Sequence, residues 1–269
     1  MTEVGHQGRL RQLLTEGAIA FGTGCAIPNA FALEQVARAG FDWVFIDMQH
    51  GLTTYATLPE MCLLLKTFGI SPLVRVPFED NSGAQRALDA GAEGVIFPCI
   101  ESAAAAQKAA VSCRYPPRGV RSFGPYRAPF GADIAAANEQ VLCLPMIESV
   151  GAVEHLDEIL STPGVDGVFV GPNDLSISMG GGPVMASLYA VDGIAASGEG
   201  FDDALLTIRE AAVRHGKFAG IAVASGDAAH LAAEDGFDFV AIGGDSSFLH
   251  EGARSELGKL AALRRDGGR

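Results

Sequence analysis

The sequence predicts a (β/α)8 TIM barrel, an α/β fold, and three features carry that expectation. Short apolar runs alternate with Ala-rich amphipathic stretches about eight times. The apolar runs are continuous rather than alternating, as parallel strands covered on both faces are. The chain has 269 residues, of which 48% are hydrophobic, enough for one large core. A single barrel domain over residues 1–269 is therefore expected.

The elements follow in order. AIAFGTGCAI is the first strand candidate and ALEQVARAG the first amphipathic stretch; WVFIDM and TLPEMCLLLKTFG form the second pair. PLVRVP is followed by SGAQRALDAG, GVIFPCI by SAAAAQKAAVSC, and VLCLPMI by VGAVEHLDEIL. GVFVG precedes the helical DDALLTIREAAVRHG, FAGIAV precedes GDAAHLAAEDG, and FVAIGG closes the set. Each strand is rich in β-branched or aromatic residues, and each helical stretch carries apolar residues on one side. Ser246–Leu263 predicts one further, C-terminal helix. Two segments break the rhythm: Tyr115–Gln140, rich in Pro, Gly and Arg, and Gly180–Gly200, rich in Gly and Ala. Long irregular insertions in a compact domain are usually functional loops or intersubunit contacts.

Composition narrows the partners. A formal net charge of −13 argues against nucleic acid, whose phosphates need a basic face. No apolar stretch approaches the roughly 20 residues that cross a bilayer, so no membrane is expected. The opening MTEVGHQGRLRQLL lacks the apolar core of a signal peptide. Five cysteines without a CxxC pair fit a reducing cytoplasm better than a disulfide scaffold. Small molecules remain.

Chemistry in such barrels collects at the C-terminal ends of the strands. Strand two ends in Asp47, Gln49 and His50, strand three in Arg75, and strand five in Glu148. Strand six ends in Asn173 and Asp174, and strand eight in Gly243, Gly244 and Asp245. Glu148 in LPMIES and Asp174 in GVFVGPNDLS form an oxygen-rich pair suited to a hard divalent ion such as Mg²⁺. Each residue also has a plain structural role open to it: Asp47 holding a loop, Arg75 pairing with a carboxylate, GPND capping a helix. Their convergence on one mouth from four strands argues against coincidence.

The stretches FDWVFIDMQHG, LVRVP, ALDAGAEGVIFP, RYPPRGVRSFG, MIES and GVDGVFVGPNDLSISMG resemble a known group. They are similar to the metal-dependent (class II) pyruvate aldolases of the 4-hydroxy-2-oxoheptanedioate aldolase type, in the HpcH/HpaI aldolase/citrate lyase family. The resemblance runs from about Gly17 to Gly244. It implies Glu148 and Asp174 as ligands of a divalent metal, Mg²⁺ first with Mn²⁺ or Co²⁺ as substitutes. It implies His50 as the catalytic histidine, Arg75 as the contact of the 2-oxo group, and Asp47 as the acidic residue ahead of the histidine. Asp89, in ALDAG, matches the aspartate that a neighbouring subunit lends to that histidine. A homohexamer, a dimer of trimers with the C-terminal helix exchanged between subunits, is implied too. The chain departs from the family pattern at Gln49, commonly Glu, and at Met146, often Gln.

The implied reaction makes or cleaves 4-hydroxy-2-oxo acids through the enolate of pyruvate or hydroxypyruvate and an aldehyde. A cation and Arg75 would stabilise the enolate oxygen. Gln49 and the turn Gly171-Pro172-Asn173-Asp174 complete the expected substrate contacts, with the amides of Asn173 and Asp174 gripping the carboxylate. His50 would exchange the proton of the hydroxyl at the breaking bond. An imine route needs a lysine at a strand end. Lys66, Lys108 and Lys259 fall in helical segments, and Lys217 precedes strand seven on the opposite face. Two alternatives stay open: a Mg²⁺-dependent lyase of acyl-CoA thioesters, of malyl-CoA or citramalyl-CoA type, and a non-catalytic relative that binds a 2-oxo acid. The aldehyde side is expected at Ala222, Val223, the Phe123–Phe130 loop and the stretch Thr23–Pro28, none of them diagnostic.

Overall fold

The computed structural model describes residues 8–189 and 198–260. Eight parallel strands close into a barrel in sequence order. They are β1 (Ala20–Cys25), β2 (Trp43–Asp47), β3 (Ser71–Arg75), β4 (Gly94–Phe97), β5 (Leu142–Ile147), β6 (Gly167–Val170), β7 (Phe218–Val223) and β8 (Phe239–Gly244). Around them lie α1 (Arg9–Thr15), α2 (Ala30–Ala37), α3 (Leu58–Thr67), α4 (Asn81–Ala90), α5 (Ala103–Ser112) and α6 (Ile134–Gln140). The ring continues with α7 (Val150–Glu154), α8 (Leu156–Ser161), α9 (Pro172–Ser178), α10 (Phe201–Arg214), α11 (Gly226–Glu234) and α12 (Asp245–Gly258). All eight expected strands are present, and β8 pairs with β1 to close the ring.

Strand periodicity sorts the side chains into two cores. Trp43, Leu73, Ile96, Leu144, Met146, Phe169 and Phe239 fill the barrel interior. Val44, Ile46, Val74, Val95, Cys143 and Val168 point the other way, against the helices. Because side chains alternate along a strand, the inward position after Phe45 is Asp47, after Leu73 is Arg75, after Met146 is Glu148 and after Phe169 is Gly171. The polar mouth is thus the next layer above an aromatic plug. Small residues make that plug possible: a Cβ at Gly22 would sit 2.3 Å from Cε2 of Trp43.

Three departures from expectation have physical reasons. The polar opening segment contains α1, whose Leu10 and Leu14 enter the interior core and close the barrel floor. Leu10 N donates to Ser71 Oγ at 2.8 Å, and Arg11 donates to the carbonyl of Gln140 at 2.9 Å and pairs with Asp166. The Leu10/Leu14 spacing is the signal, masked by the polar Arg11 and Gln12 that follow Leu10 and by the polar residues ahead of it. VGAVEHLDEIL breaks at His155 into α7 and α8, and α6 occupies the end of the Tyr115–Gln140 insertion. The final helix begins one residue early, at Asp245; residues 261–263 of the expected helix and 190–197 of the second insertion lie outside the described residues.

The first insertion joins α5 to β5, and helix-to-strand connections lie at the N-terminal face of a barrel. The Phe123–Phe130 loop therefore does not lie over the mouth of its own barrel, although the sequence suggested it as part of the aldehyde side. No helix among the described residues is long and apolar enough to cross a membrane.

Candidate active site

Register creates the centre of the site. Asp47 and Arg75 are paired positions on neighbouring strands, so both side chains enter the mouth side by side. Asp47 accepts from Arg75 Nε at 3.0 Å and from Nη2 at 2.7 Å, a two-pronged clamp. The same carboxylate accepts from the backbone amides of Gln49 at 3.0 Å and His50 at 3.2 Å, which fixes the turn that carries the histidine. Burial opposes its charge, yet the Arg75 hydrogen bonds and charge, with the two amides, hold its carboxyl below the usual range. Asp47 is thereby a positioning residue: it fixes the direction of Arg75 and the entry of His50. Phe45, one inward step below, places its ring 5.5 Å from the Arg75 guanidinium.

Glu148 stands on the far side of Arg75, buried and one residue beyond β5. Its Oε1 accepts from the Cys99 amide at 2.6 Å. Cys99 takes a left-handed backbone, φ 55°, to present that amide, a conformation uncommon for a residue with a side chain. Burial raises the Glu148 pKa, and the nearby Asp174 carboxylate adds to the rise, while the Cys99 amide and Arg75 pull the other way. The Cys99 thiol, beside the same carboxylate, is pushed up to about 11 by burial and then by the Glu148 charge. Neither Cys99 nor its role could be read from the sequence, since cysteine carries no signature for a left-handed turn.

The turn after β6 supplies the second carboxylate. Pro172 at the first helical position starts α9 and brings Asp174 into its first turn, exposed at the mouth. Gly171 is required there: a Cβ would lie 2.7 Å from Glu148 Oε2 and 3.0 Å from Met146 Cε. Its amide is spent on the Ile147 carbonyl at 3.2 Å, and Pro172 has none, so these two residues shape the site rather than donate to it. The Asn173 side chain is committed as well, accepting from the amides of Val184 at 2.9 Å and Met185 at 2.8 Å. What Asn173 offers a ligand is its own backbone N–H.

Other expected residues are distributed as follows. His50 is exposed at the rim, and among the described residues nothing hydrogen-bonds its imidazole. Gln49 Oε1 is buried without a partner among the described residues. Asp245 does not face the mouth as a free carboxylate: it is buried and accepts from the amides of Ala26 at 3.0 Å and Ile27 at 2.9 Å, tying the β1 end to α12. Asp89 lies near the end of α4, which starts at the mouth with an Asp80 cap and stops at Gly91. Eight residues of helix separate it from Asn81, a descent of roughly 12 Å. Within its own chain it pairs with the buried Arg121 at 2.6 Å. The lysines stay off the mouth: Lys66 in α3, Lys108 in α5, Lys217 bonded to the Val165 carbonyl at the opposite face, and Lys259 at the end of α12.

The donors suit a divalent cation. Glu148 and Asp174 are hard oxygen ligands on adjacent strand ends, and their mutual repulsion in a partly desolvated place is a cost that a cation between them would offset. Among the described residues no group of three or more His, Cys, Asp or Glu side chains is arranged around a single point.

A closed parallel barrel with a clamped arginine, an exposed histidine and two carboxylates at its C-terminal mouth defines an enzyme of the α/β-barrel class. The chain belongs to the HpcH/HpaI aldolase/citrate lyase family, whose pattern matches residues 25–251. It is 37% identical over 258 residues to a hydroxypyruvate/pyruvate aldolase of Rhizorhabdus wittichii, covering 95% of this chain and 99% of that one. It is 31% identical over 260 residues to a 4-hydroxy-2-oxo-heptane-1,7-dioate aldolase of Salmonella arizonae, covering 94% of each. Among solved structures, an HpcH/HpaI aldolase/citrate lyase family protein of Burkholderia cenocepacia superposes with a TM-score of 0.81 at 29% identity, covering 94% of this chain and 99% of that one. The chain is an enzyme of the aldolase class, a carbon–carbon lyase.

Proposed function

We propose that the chain is a divalent-metal-dependent aldolase that makes or cleaves 4-hydroxy-2-oxo acids, with pyruvate or hydroxypyruvate as donor and an aldehyde as acceptor. The observation that carries the reading is the line Asp47–Arg75–Glu148, a guanidinium locked beside a buried carboxylate that the Asp174 charge makes harder to ionise. When bound by Glu148 and Asp174, a divalent cation, Mg²⁺ or else Mn²⁺ or Co²⁺, would supply positive charge where the enolate oxygen develops.

The chain's own residues do the rest. Arg75, unable to swing because Asp47 holds two of its nitrogens, directs its remaining N–H groups at the keto oxygen of the donor. The amides of Asn173 and Asp174, with the Gln49 side chain, hold the donor's carboxylate end and its neighbour atoms. His50 exchanges a proton with the hydroxyl at the bond that forms or breaks. Asp89 of an adjacent subunit sets the tautomer of His50, since its place far down α4 keeps it from the histidine of its own chain. A homohexamer, a dimer of trimers, is the assembly this requires, with α12 exchanged between subunits. In support, α12 buries only Asp245, and Leu249, Leu257 and Leu260 stand exposed on or just beyond it. The start of α12 packs on its own barrel, with Phe248 stacked on Phe41 at 6.5 Å, while the leucines towards its far end are left uncovered and suit a partner surface. Five free cysteines fit a cytoplasmic enzyme acting as one catalytic domain.

The test is chemical. Chelation with EDTA is expected to abolish turnover, Mg²⁺ or Mn²⁺ to restore it, and borohydride with pyruvate to leave activity intact. A stable reduced adduct on any lysine would replace the reading with an imine mechanism.

A further inference from the structure

Arg121 is a buried cation in the insertion between α5 and β5, and the reaction above gives it no task. A guanidinium inside a protein needs a counter-ion. Its Nη2 donates to Asp89 Oδ1 at 2.6 Å, and Asp89 is its one salt-bridge partner among the described residues. The two side chains are 1% and 30% exposed, so the cation is sealed in while the carboxylate reaches the surface. The guanidinium lies over the Tyr115 ring at 4.5 Å. Tyr115 is held in turn by Asn138, whose Oδ1 accepts the Tyr115 amide at 2.7 Å and whose Nδ2 donates to the Tyr115 carbonyl at 3.2 Å. Asp89 Oδ2, by contrast, accepts no hydrogen bond among the described residues. Gly124 keeps the approach to it open, since a Cβ there would lie 3.3 Å from that oxygen. Tyr55, Arg86, Tyr126 and Arg127 line one cavity with Asp89, but Arg86 faces Asp80, which also accepts from the Tyr55 hydroxyl at 2.8 Å. The ion pair of Asp89 is made with Arg121.

A carboxylate with one oxygen on a buried cation and the other left open can orient a neighbour without adding net charge beside it. We propose that Arg121 is a positioning residue for the proton transfer: it holds Asp89 with Oδ2 outward and cancels the carboxylate's charge, so that Asp89 aims the adjacent subunit's His50 without stabilising its imidazolium. The proposal rests on the reading that Asp89 serves the adjacent His50. Electrostatics sets the sign. A bare carboxylate a few Å from an imidazole favours the protonated form, by roughly 1–3 pH units, whereas one paired with a guanidinium still accepts a hydrogen bond but brings little net charge. An imidazole must be neutral to take a proton, so a base aimed by a neutral ion pair works at lower pH than one aimed by a bare carboxylate. Within its own chain His50 leans on Asp47, which accepts its amide at 3.2 Å and is clamped by Arg75, and neither is altered in the variants below.

The experiment follows, across pH and by mass spectrometry, the rate at which diethyl pyrocarbonate modifies the peptide containing His50 in the assembled protein. The reagent attacks only neutral imidazole, so the midpoint of the rate against pH reports His50 whether or not the enzyme turns over. Arg121→Met leaves Asp89 uncompensated, and the midpoint is expected to rise by about 1 pH unit, with the acid limb of kcat/KM moving the same way. Asp89→Asn leaves Arg121 uncompensated, and the midpoint should fall. The double variant, neutral again, should return close to wild type, and Arg121→Lys, which keeps the charge, should stay there with a lower kcat. A role in packing alone would not reverse sign between the two single variants. Should Arg121→Met fail to assemble, Asp89→Asn against the double variant carries the same comparison, with the double expected to lie higher. An unmoved midpoint in Arg121→Met, or a double variant level with Asp89→Asn, overturns the proposal. If Asp89→Asn alone moves the midpoint, only the role of Arg121 is wrong; if neither single variant moves it, the pairing of Asp89 with the adjacent His50 falls as well.

Discussion

Glu148→Gln is expected to lower kcat by on the order of 10³-fold, the upper scale of losing charge stabilisation at a developing oxyanion. The variant is a clean one because the amide oxygen can still accept the Cys99 N–H that Glu148 accepts at 2.6 Å, so the β4 and β5 ends should keep their geometry. What changes is the charge and the second oxygen, the one crowded against Gly171. Calorimetric titration with Mn²⁺ should show weaker binding in the same variant. A Glu148→Gln enzyme with near-normal rate and unaltered metal dependence would remove Glu148 from the ligand set.

Asp89→Asn should slow the reaction by about 10²–10⁴-fold, the usual range for general acid–base contributions, while pyruvate and metal binding stay near wild type. The position of Asp89 makes the cause testable. Its carboxylate faces Arg121 within the chain and lies near the foot of α4, so a direct effect on its own mouth is not available. Loss of the Arg121 pair could also loosen the insertion, and mixing variants separates the two explanations. Asp89→Asn and His50→Ala subunits, after exchange, create some interfaces with one intact His50–Asp89 pair, and activity should partly return. If subunits demonstrably exchange and no activity reappears, the two residues are not paired across an interface.

The mouth was legible in the sequence for a geometric reason. In a parallel barrel each strand is an unbroken apolar run, so the first polar residues after WVFI, PLV and LPMI stand out, and alternation decides that they face inward. Asp47, Arg75 and Glu148 stand out in that way, whereas Asp174 stands out only as a carboxylate just past the end of the sixth strand, in the first turn of α9. Their division of labour was not legible. Asp47 clamps Arg75 and two amides, a task set by register across β2 and β3 that no single-strand pattern contains. Asp245, an equally good strand-end acid, bonds to the β1 loop, because β8 is the strand that must join β1. Gly171 and Cys99 matter through close approach and a left-handed backbone, properties that appear only when chain segments meet. The Phe123–Phe130 loop, expected on the aldehyde side, belongs to a helix-to-strand connection and so lies away from the mouth of its own barrel, a placement that composition does not report.

The central claim is that the metal site and Arg75 stabilise a donor enolate. Exchange of the pyruvate methyl protons for deuterium, followed by NMR without any aldehyde present, tests it most directly. The account predicts exchange in the presence of Mg²⁺ or Mn²⁺, its loss with EDTA, and its near-loss in Glu148→Gln. Undiminished exchange in EDTA, or demonstrable pyruvate binding with metal present and no exchange, would contradict it.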